Sequence, residues 1–194
     1  MDYTELRTLF HGFLNRDDCS DELADQFISM GLRRVERLLR TPLQKAIESF
    51  IIPEAFDGIV DVPRDYLGLI EVRLDGRPLK RLTSGQTDAM SGFKLGIDGF
   101  KLYGTFQPQS VIEIEYYAEF DKTPDPGGTT NYGLVLSDLV IFSGLIFAAT
   151  YYTDARKAEF EQVAAALKAE IDEMSALDEL AGGLVVTPYG GGIA

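Results

Sequence analysis

The chain has 194 residues, of which 45% are hydrophobic and 25% are charged, and its 31 acidic and 18 basic side chains give a net charge of −13. This length suits one domain, or one domain with a sizeable insertion, and the hydrophobic content excludes wholesale disorder. An acidic surface repels nucleic acids and anionic membranes unless a local basic patch overrides it, and it also favours solubility.

Helical spacing predicts two helices at the start of the chain. Asp2 and Glu5 are placed to form a capping box, and Ser20 is placed to cap the second helix. The second helix should stop near Pro42, because the residue before a proline avoids the α region. The apolar positions that repeat at helical spacing are Leu6, Leu9, Phe10, Phe13 and Leu14 in the first helix and Leu23, Phe27, Ile28, Leu32, Val35 and Leu39 in the second.

Between residues 42 and 121 the pattern changes to the alternation of strands. Asp75-Gly76 and Asp98-Gly99 are turn signals, and they indicate two hairpins. The alternating segments are residues 58–62, residues 69–74 with Ile70, Val72 and Leu74 on one face, residues 93–97, and residues 111–117. The sequence therefore predicts a small antiparallel meander or sandwich.

Two further helices are predicted after the strands. Residues 122–131 form a loop by composition, and Ser137 is a candidate N-cap for a helix that extends to about residue 152. Residues 139–149 are strongly apolar but shorter than the roughly 20 residues that cross a bilayer, so we expect a buried helix there. The final helix should end at Gly182-Gly183.

These elements predict an α+β fold. Its parts are an N-terminal helix pair at residues 1–41, a β insertion at 42–121, a C-terminal helix pair at 122–181 and an extended glycine-rich tail at 182–194. We expect the two helix pairs to pack as one bundle, with the β domain projecting from its end. The first residues lack the basic and apolar regions of a signal peptide, so we expect no secretory leader.

The sequence offers little catalytic chemistry. His11 is the single histidine, and it lies beside an apolar helix face far from any GxSxG elbow. Cys19 is the single cysteine, so an intramolecular disulfide and a cysteine-based zinc site are excluded. The thiol pKa can fall at a helix start, but packing is the favoured role of Cys19. We expect no enzyme activity, no cofactor and no metal site.

One basic feature contrasts with the acidic background. Arg33, Arg37 and Arg40 fall at i, i+4 and i+7, which predicts one helical face. Guanidinium groups late in a helix offset its negative end, and they also recognise carboxylates and phosphates. The overall acidity favours the carboxylates of a neighbouring subunit over DNA, and the three arginines are our candidates for a subunit interface.

Four segments together resemble the head-to-tail adaptor proteins of tailed bacteriophages, which lie beneath the portal. Residues 14–41 resemble the opening of that family, in which an Asn-Arg-Asp turn joins a short helix to a long arginine-bearing one. Residues 61–82 are similar to its middle strand pair and residues 111–120 to its last strand. Residues 136–162 resemble its penultimate helix, a short break and its last helix.

The resemblance implies a ring, most often of twelve copies, that docks on the portal, extends the DNA channel and receives tail or nozzle proteins. It places the protein in the neck of the virion after assembly in the cytoplasm of the bacterial host. A glycine-bounded tail is then a candidate segment for docking on the portal, and its apolar residues are Leu184, Val185, Val186 and Tyr189. A tail that folds back on its own subunit is the alternative.

Three other functions stay open at this stage. The chain could be a head-completion or tail-terminator subunit, which only its neighbours in the particle would distinguish. It could be a small acidic ligand-binding domain that uses a pocket in the β insertion. It could also bind nucleic acid through the arginines, in which case the binding would depend on salt.

Overall fold

The computed structural model describes residues 2–83, 91–96, 99–120 and 136–183, with side chains described up to residue 176. The chain divides into two compact units. The helical unit contains residues 1–41 and 121–194, and the β unit contains Pro42–Phe120. The described residues form four α-helices and two antiparallel sheets, so the predicted α+β class is confirmed.

The first two helices of the helical unit are α1 (Tyr3–Leu14) and α2 (Asp21–Leu38). The Asp2 carboxylate accepts a hydrogen bond from the Glu5 amide (2.7 Å), and the Glu5 carboxylate accepts one from the Asp2 amide (3.0 Å). Ser20 Oγ accepts a hydrogen bond from the amide of Leu23 (3.3 Å). Both predicted caps are confirmed, because each satisfies amides that a helix start leaves unpaired.

The other two helices are α3 (Ser137–Tyr151) and α4 (Lys157–Gly183). The prediction that Ser137 caps α3 is wrong, since the N-cap residue is Leu136 and no side chain bonds to the helix start. A Ser137 cap requires the helix to start at Asp138, but it starts one residue earlier, at Ser137, after the fully buried Leu136. The predicted burial of α3 is confirmed, because nine of its fifteen residues are buried.

Helix α3 lies at the centre of the helical unit and contacts each of the other three helices. Phenylalanine rings join the helices: Phe10 of α1 stacks on Phe27 of α2, and Phe142 of α3 contacts both Phe13 and Phe160. Aromatic pairs of this kind contribute energy beyond the burial of their area. On α1 the predicted apolar face is only partly buried: Leu6, Phe10 and Leu14 are buried, whereas Leu9 and Phe13 are 40% and 46% exposed.

The β unit begins with a short 3₁₀ turn at Pro42–Gln44. Its strands are β1 (Lys45–Ile51), β2 (Ile59–Val60), β3 (Tyr66–Leu74), β4 (Arg77–Pro78), β5 (Gly92–Gly96), β6 (Gly99–Tyr103) and β7 (Val111–Ala118). One sheet has the order β1-β7-β3-β4, and the other has the order β2-β6-β5. All neighbouring strands are antiparallel.

The first predicted hairpin is confirmed. Asp75 and Gly76 both have positive φ values, 49° and 73°, as a two-residue turn between β3 and β4 requires. Strands β5 and β6 pair as the second hairpin predicts, although residues 97–98 of its turn lie outside the described residues. One detail of β3 is wrong: a register shift between Leu69 and Glu71 places Leu69, rather than Ile70, against the core.

The two sheets of the β unit share one apolar core. The three-stranded sheet contributes Phe93, Phe100 and Leu102, and the four-stranded sheet contributes residues such as Val72 and Ile112. These side chains are nearly inaccessible to solvent, with at most 5% of each exposed. The described interior between the sheets is therefore filled by side chains, and two open clefts lie at its margins.

Candidate interaction surfaces

The arginines of the predicted interface divide into two kinds. Arg33 and Arg37 are exposed on α2, and Arg37 Nε donates a hydrogen bond to the Arg33 carbonyl (3.1 Å). Arg40 does not share their helical face, which corrects that prediction. The helix ends at Leu38 and Leu39 is extended (φ −101°, ψ 151°), in keeping with the approach of Pro42.

Arg40 instead forms hydrogen bonds with backbone carbonyls at the end of α2. Its Nη1 donates hydrogen bonds to the carbonyls of Glu36 (2.9 Å) and Leu39 (2.6 Å). A guanidinium at this position satisfies carbonyls that the helix end leaves unpaired and offsets the negative end of the helix dipole. Arg33 and Arg37 are therefore the arginines of the predicted set that are exposed on α2 itself, and the role of all three arginines in a subunit interface stays a prediction.

The predicted docking tail lies outside the described residues. This applies to Leu184, Val185, Val186 and Tyr189 alike. Their role in contacting a portal stays a prediction.

An ionic clamp that the sequence did not predict joins the start of the chain to the α3–α4 junction. Arg156 donates hydrogen bonds to the carbonyls of Leu14 (2.8 Å) and Phe13 (3.3 Å), at the end of α1. Two of its nitrogens also bind the Asp154 carboxylate, with Nη2 2.6 Å from Oδ2 and Nε 3.1 Å from Oδ1. These hydrogen bonds from Arg156 lower the pKa of Asp154 to about 2. The break between α3 and α4 is therefore tied by hydrogen bonds to the end of α1.

The turn between α1 and α2 is held by a second set of contacts. The Arg16 guanidinium lies 4.1 Å from the centre of the Tyr152 ring and forms two 2.8 Å hydrogen bonds with Asp18. The Tyr152 hydroxyl donates to the Asp18 carbonyl (3.3 Å), and burial raises the pKa of Tyr152 to about 12. Cys19 is buried beside them and burial raises its thiol pKa, so it packs as a small apolar side chain and is not activated.

The β unit carries an open cleft between β1 and β2, which are edge strands of the two sheets. The cleft has a volume of about 390 Å³. Its polar lining includes the exposed carboxylates of Glu48, Asp57 and Asp61. It is thus an acidic groove at the margin of the sandwich.

The described residues contain no group of three or more His, Cys, Asp or Glu side chains that could hold a metal ion. His11 Nε2 lies 3.2 Å from the Asp21 carboxylate, an ordinary surface contact between two helices. Within the described part of the chain, no helix combines the length and the hydropathy needed to cross a bilayer.

Comparison with known families identifies a family that matches most of the chain. The family described as "SU10 adaptor protein" matches residues 1–187, which is nearly the whole chain. The chain belongs to this adaptor family. The resemblance seen in the sequence is confirmed, and the protein is a bacteriophage adaptor, a structural component of the virion. No curated protein matches the chain significantly.

The family match covers the predicted interface arginines and the first residues of the predicted docking tail. It includes Arg33, Arg37 and Arg40, and it ends at residue 187, so that Tyr189 lies beyond it. It also includes the clamp formed by Asp154 and Arg156.

Proposed function

We propose that this adaptor assembles as a ring on the portal, and that the ring extends the DNA channel and provides the attachment site for tail proteins. The observation that carries the proposal is the family match over residues 1–187. Twelve copies is the number that the resemblance implies. Identical subunits close into a ring only through a heterologous contact, in which two different surfaces of the subunit meet.

The charge of the adaptor supports a channel role. A protein binds DNA tightly when its cations neutralise phosphates and release their counterions, whereas a chain with a net charge of −13 offers DNA few cations. DNA would therefore slide through the ring without sequence-specific binding. Arg33 and Arg37 are exposed on α2, and we assign them to carboxylates of a neighbouring subunit.

We also propose that the adaptor is not an enzyme and needs no cofactor. Its single histidine contacts Asp21 and its single cysteine is buried with a raised pKa, so neither is prepared as a base or a nucleophile. The neck of the virion is the proposed location, with assembly in the host cytoplasm. A head-completion or tail-terminator role would use the same fold with different neighbours in the particle.

Sedimentation tests this proposal. The purified adaptor is mixed with the portal ring of the same phage, and the complex is compared with each component alone. The proposal expects a new, faster species that contains both proteins in a fixed ratio. An adaptor that remains monomeric at a large excess over portal would contradict it.

A further inference from the structure

The two sides of the β unit differ in construction. On one side, the segment after β4 bonds to β5 of the other sheet: the Leu82 amide donates to the Phe93 carbonyl (2.8 Å), and the Phe93 amide donates to the Lys80 carbonyl (3.0 Å). These bonds close that side. On the other side, β1 and β2 are separated by the acidic cleft. We call these the closed side and the open side.

The open side exposes apolar surface on an edge strand. Ile47 and Ile51 of β1 are 61% and 60% exposed, and β1 is the outermost strand of its sheet. Long exposed edge strands with large apolar side chains are sites where proteins associate unless they are covered. Glu48 alternates with these isoleucines along β1 and faces the cleft, so the open side is acidic on its cleft face and apolar on the outer face of β1.

The closed side is basic. Arg77, Lys80 and Arg81 are exposed along the segment that closes it, and their charge is opposite to that of Glu48, Asp57 and Asp61. Strands β1 and β4 are opposite edges of one four-stranded sheet, about 14 Å apart at the usual spacing of strands. The two charged edges therefore cannot neutralise each other within one subunit, but they can do so between two subunits.

We infer that the open side of the β unit receives the basic closed side of a neighbouring copy. This inference rests on the proposed ring, and it names the surfaces that build it. The contact is head-to-tail, because each copy offers an acidic, apolar edge at one side and a basic edge at the other. Opposite charges steer the two surfaces together and fix their register, and the covered Ile47 and Ile51 add apolar burial.

Charge reversal tests the inference. In the cleft variant, Glu48→Lys and Asp61→Lys reverse the open side; in the edge variant, Lys80→Glu and Arg81→Glu reverse the closed side. All four positions are exposed, so circular dichroism should show both variants folded. Each variant alone should lose at least about tenfold in the fraction of adaptor found in portal-bound rings, because like charges then meet.

An equal mixture of the two variants should restore the rings. In the mixture, the now basic cleft of the cleft variant meets the now acidic edge of the edge variant, and the acidic cleft of the edge variant meets the basic edge of the cleft variant. The two variants should therefore alternate, and native mass spectrometry should find equal numbers of them in every ring. The matched control is Arg64→Glu with Lys101→Glu, two exposed positions of the β unit that lie outside β1, β4, β5 and the closing segment and make the same change in charge as the edge variant. The control should assemble as the wild type does.

The outcomes separate the inference from the proposed function. The inference is overturned if the wild type forms rings and each reversed variant also assembles fully, or if the mixture of variants restores no rings. Either result leaves the ring proposal standing. A wild-type adaptor that forms no ring on the portal would overturn both.

Discussion

Gly31 of α2 lies against Gly144 of α3 with no room for a side chain between them. A Cβ atom on Gly31 would stand 2.5 Å from the Gly144 nitrogen and 2.6 Å from the Val140 carbonyl oxygen. A Cβ atom on Gly144 would stand 3.0 Å from the Phe27 carbonyl oxygen. The two helices therefore meet backbone to backbone, and this approach determines how closely the arginine-bearing helix packs on the buried one.

Gly31→Ala should destabilise the adaptor by about 1–3 kcal/mol, because the helices must separate to admit the methyl group. This loss outweighs the gain of up to about 1 kcal/mol that alanine brings to a helix interior. Urea denaturation followed by circular dichroism measures the difference. Gly12→Ala is the control, since Gly12 is exposed on α1 with nothing within 4 Å of its missing Cβ, and it should be neutral or stabilising.

Arg156→Ala should cost about 1.5–3 kcal/mol of unfolding free energy, because it removes charged hydrogen bonds to Asp154, Phe13 and Leu14. Arg156→Lys keeps the charge but cannot make the same paired contacts, so it should recover only part of the loss. Thermal melting of the two variants would measure this. Equal stability of both variants and the wild type would show that the clamp contributes nothing.

The clamp also predicts a dependence on pH. The folded pKa of Asp154 is about 2, below its usual 3.8, so its stabilising contribution is present above pH 3.8 and is lost as the pH falls through 2. Asp154→Asn should be less stable than the wild type at neutral pH, and the difference should shrink as acid is added. Denaturation at several pH values measures it, and a difference that stays constant would contradict the assignment.

Arg33→Glu with Arg37→Glu should reduce adaptor assembly on the portal without changing the melting temperature, because both side chains are exposed. The isolated wild-type protein should not bind DNA at physiological salt. Sedimentation with portal and fluorescence anisotropy with labelled DNA measure the two effects. Salt-sensitive DNA binding that disappears in the variant would show that these arginines bind nucleic acid.

Removal of residues 184–194 should weaken binding to the portal by at least about tenfold, in line with the loss of a docking segment. The melting temperature should not change, because the segment is predicted to contact a partner and not its own subunit. Calorimetric titration of portal with full-length and shortened adaptor measures the affinity. A lower melting temperature with unchanged affinity would favour a tail that packs on its own chain.

The sequence predicted the helices well because their caps and apolar spacing are local signals. Strand β1 was missed because its local spacing of apolar residues points to a helix. Its apolar residues Ala46, Ile47, Phe50 and Ile51 are spaced as on a helix, yet in the strand Ala46 and Phe50 face the core and Ile47 and Ile51 face solvent. Pairing with the clearly alternating β7 overrides this local pattern.

The interaction surfaces were predicted less completely. Arg33 and Arg37 could be identified from their spacing, but the end of α2 before Pro42 removed Arg40 from that set. The role of Arg156 depends on contacts with residues more than 140 positions earlier in the chain, which spacing does not reveal. The opposite charges of the two sides of the β unit likewise became visible only once the order of the strands was known.

Electron microscopy of the wild-type adaptor bound to the portal of its own phage tests the central claim most directly. The account predicts a closed ring of adaptor subunits, coaxial with the portal, with a continuous channel through both. Subunits that decorate the outside of the portal singly, or portal particles with no added density, would contradict it.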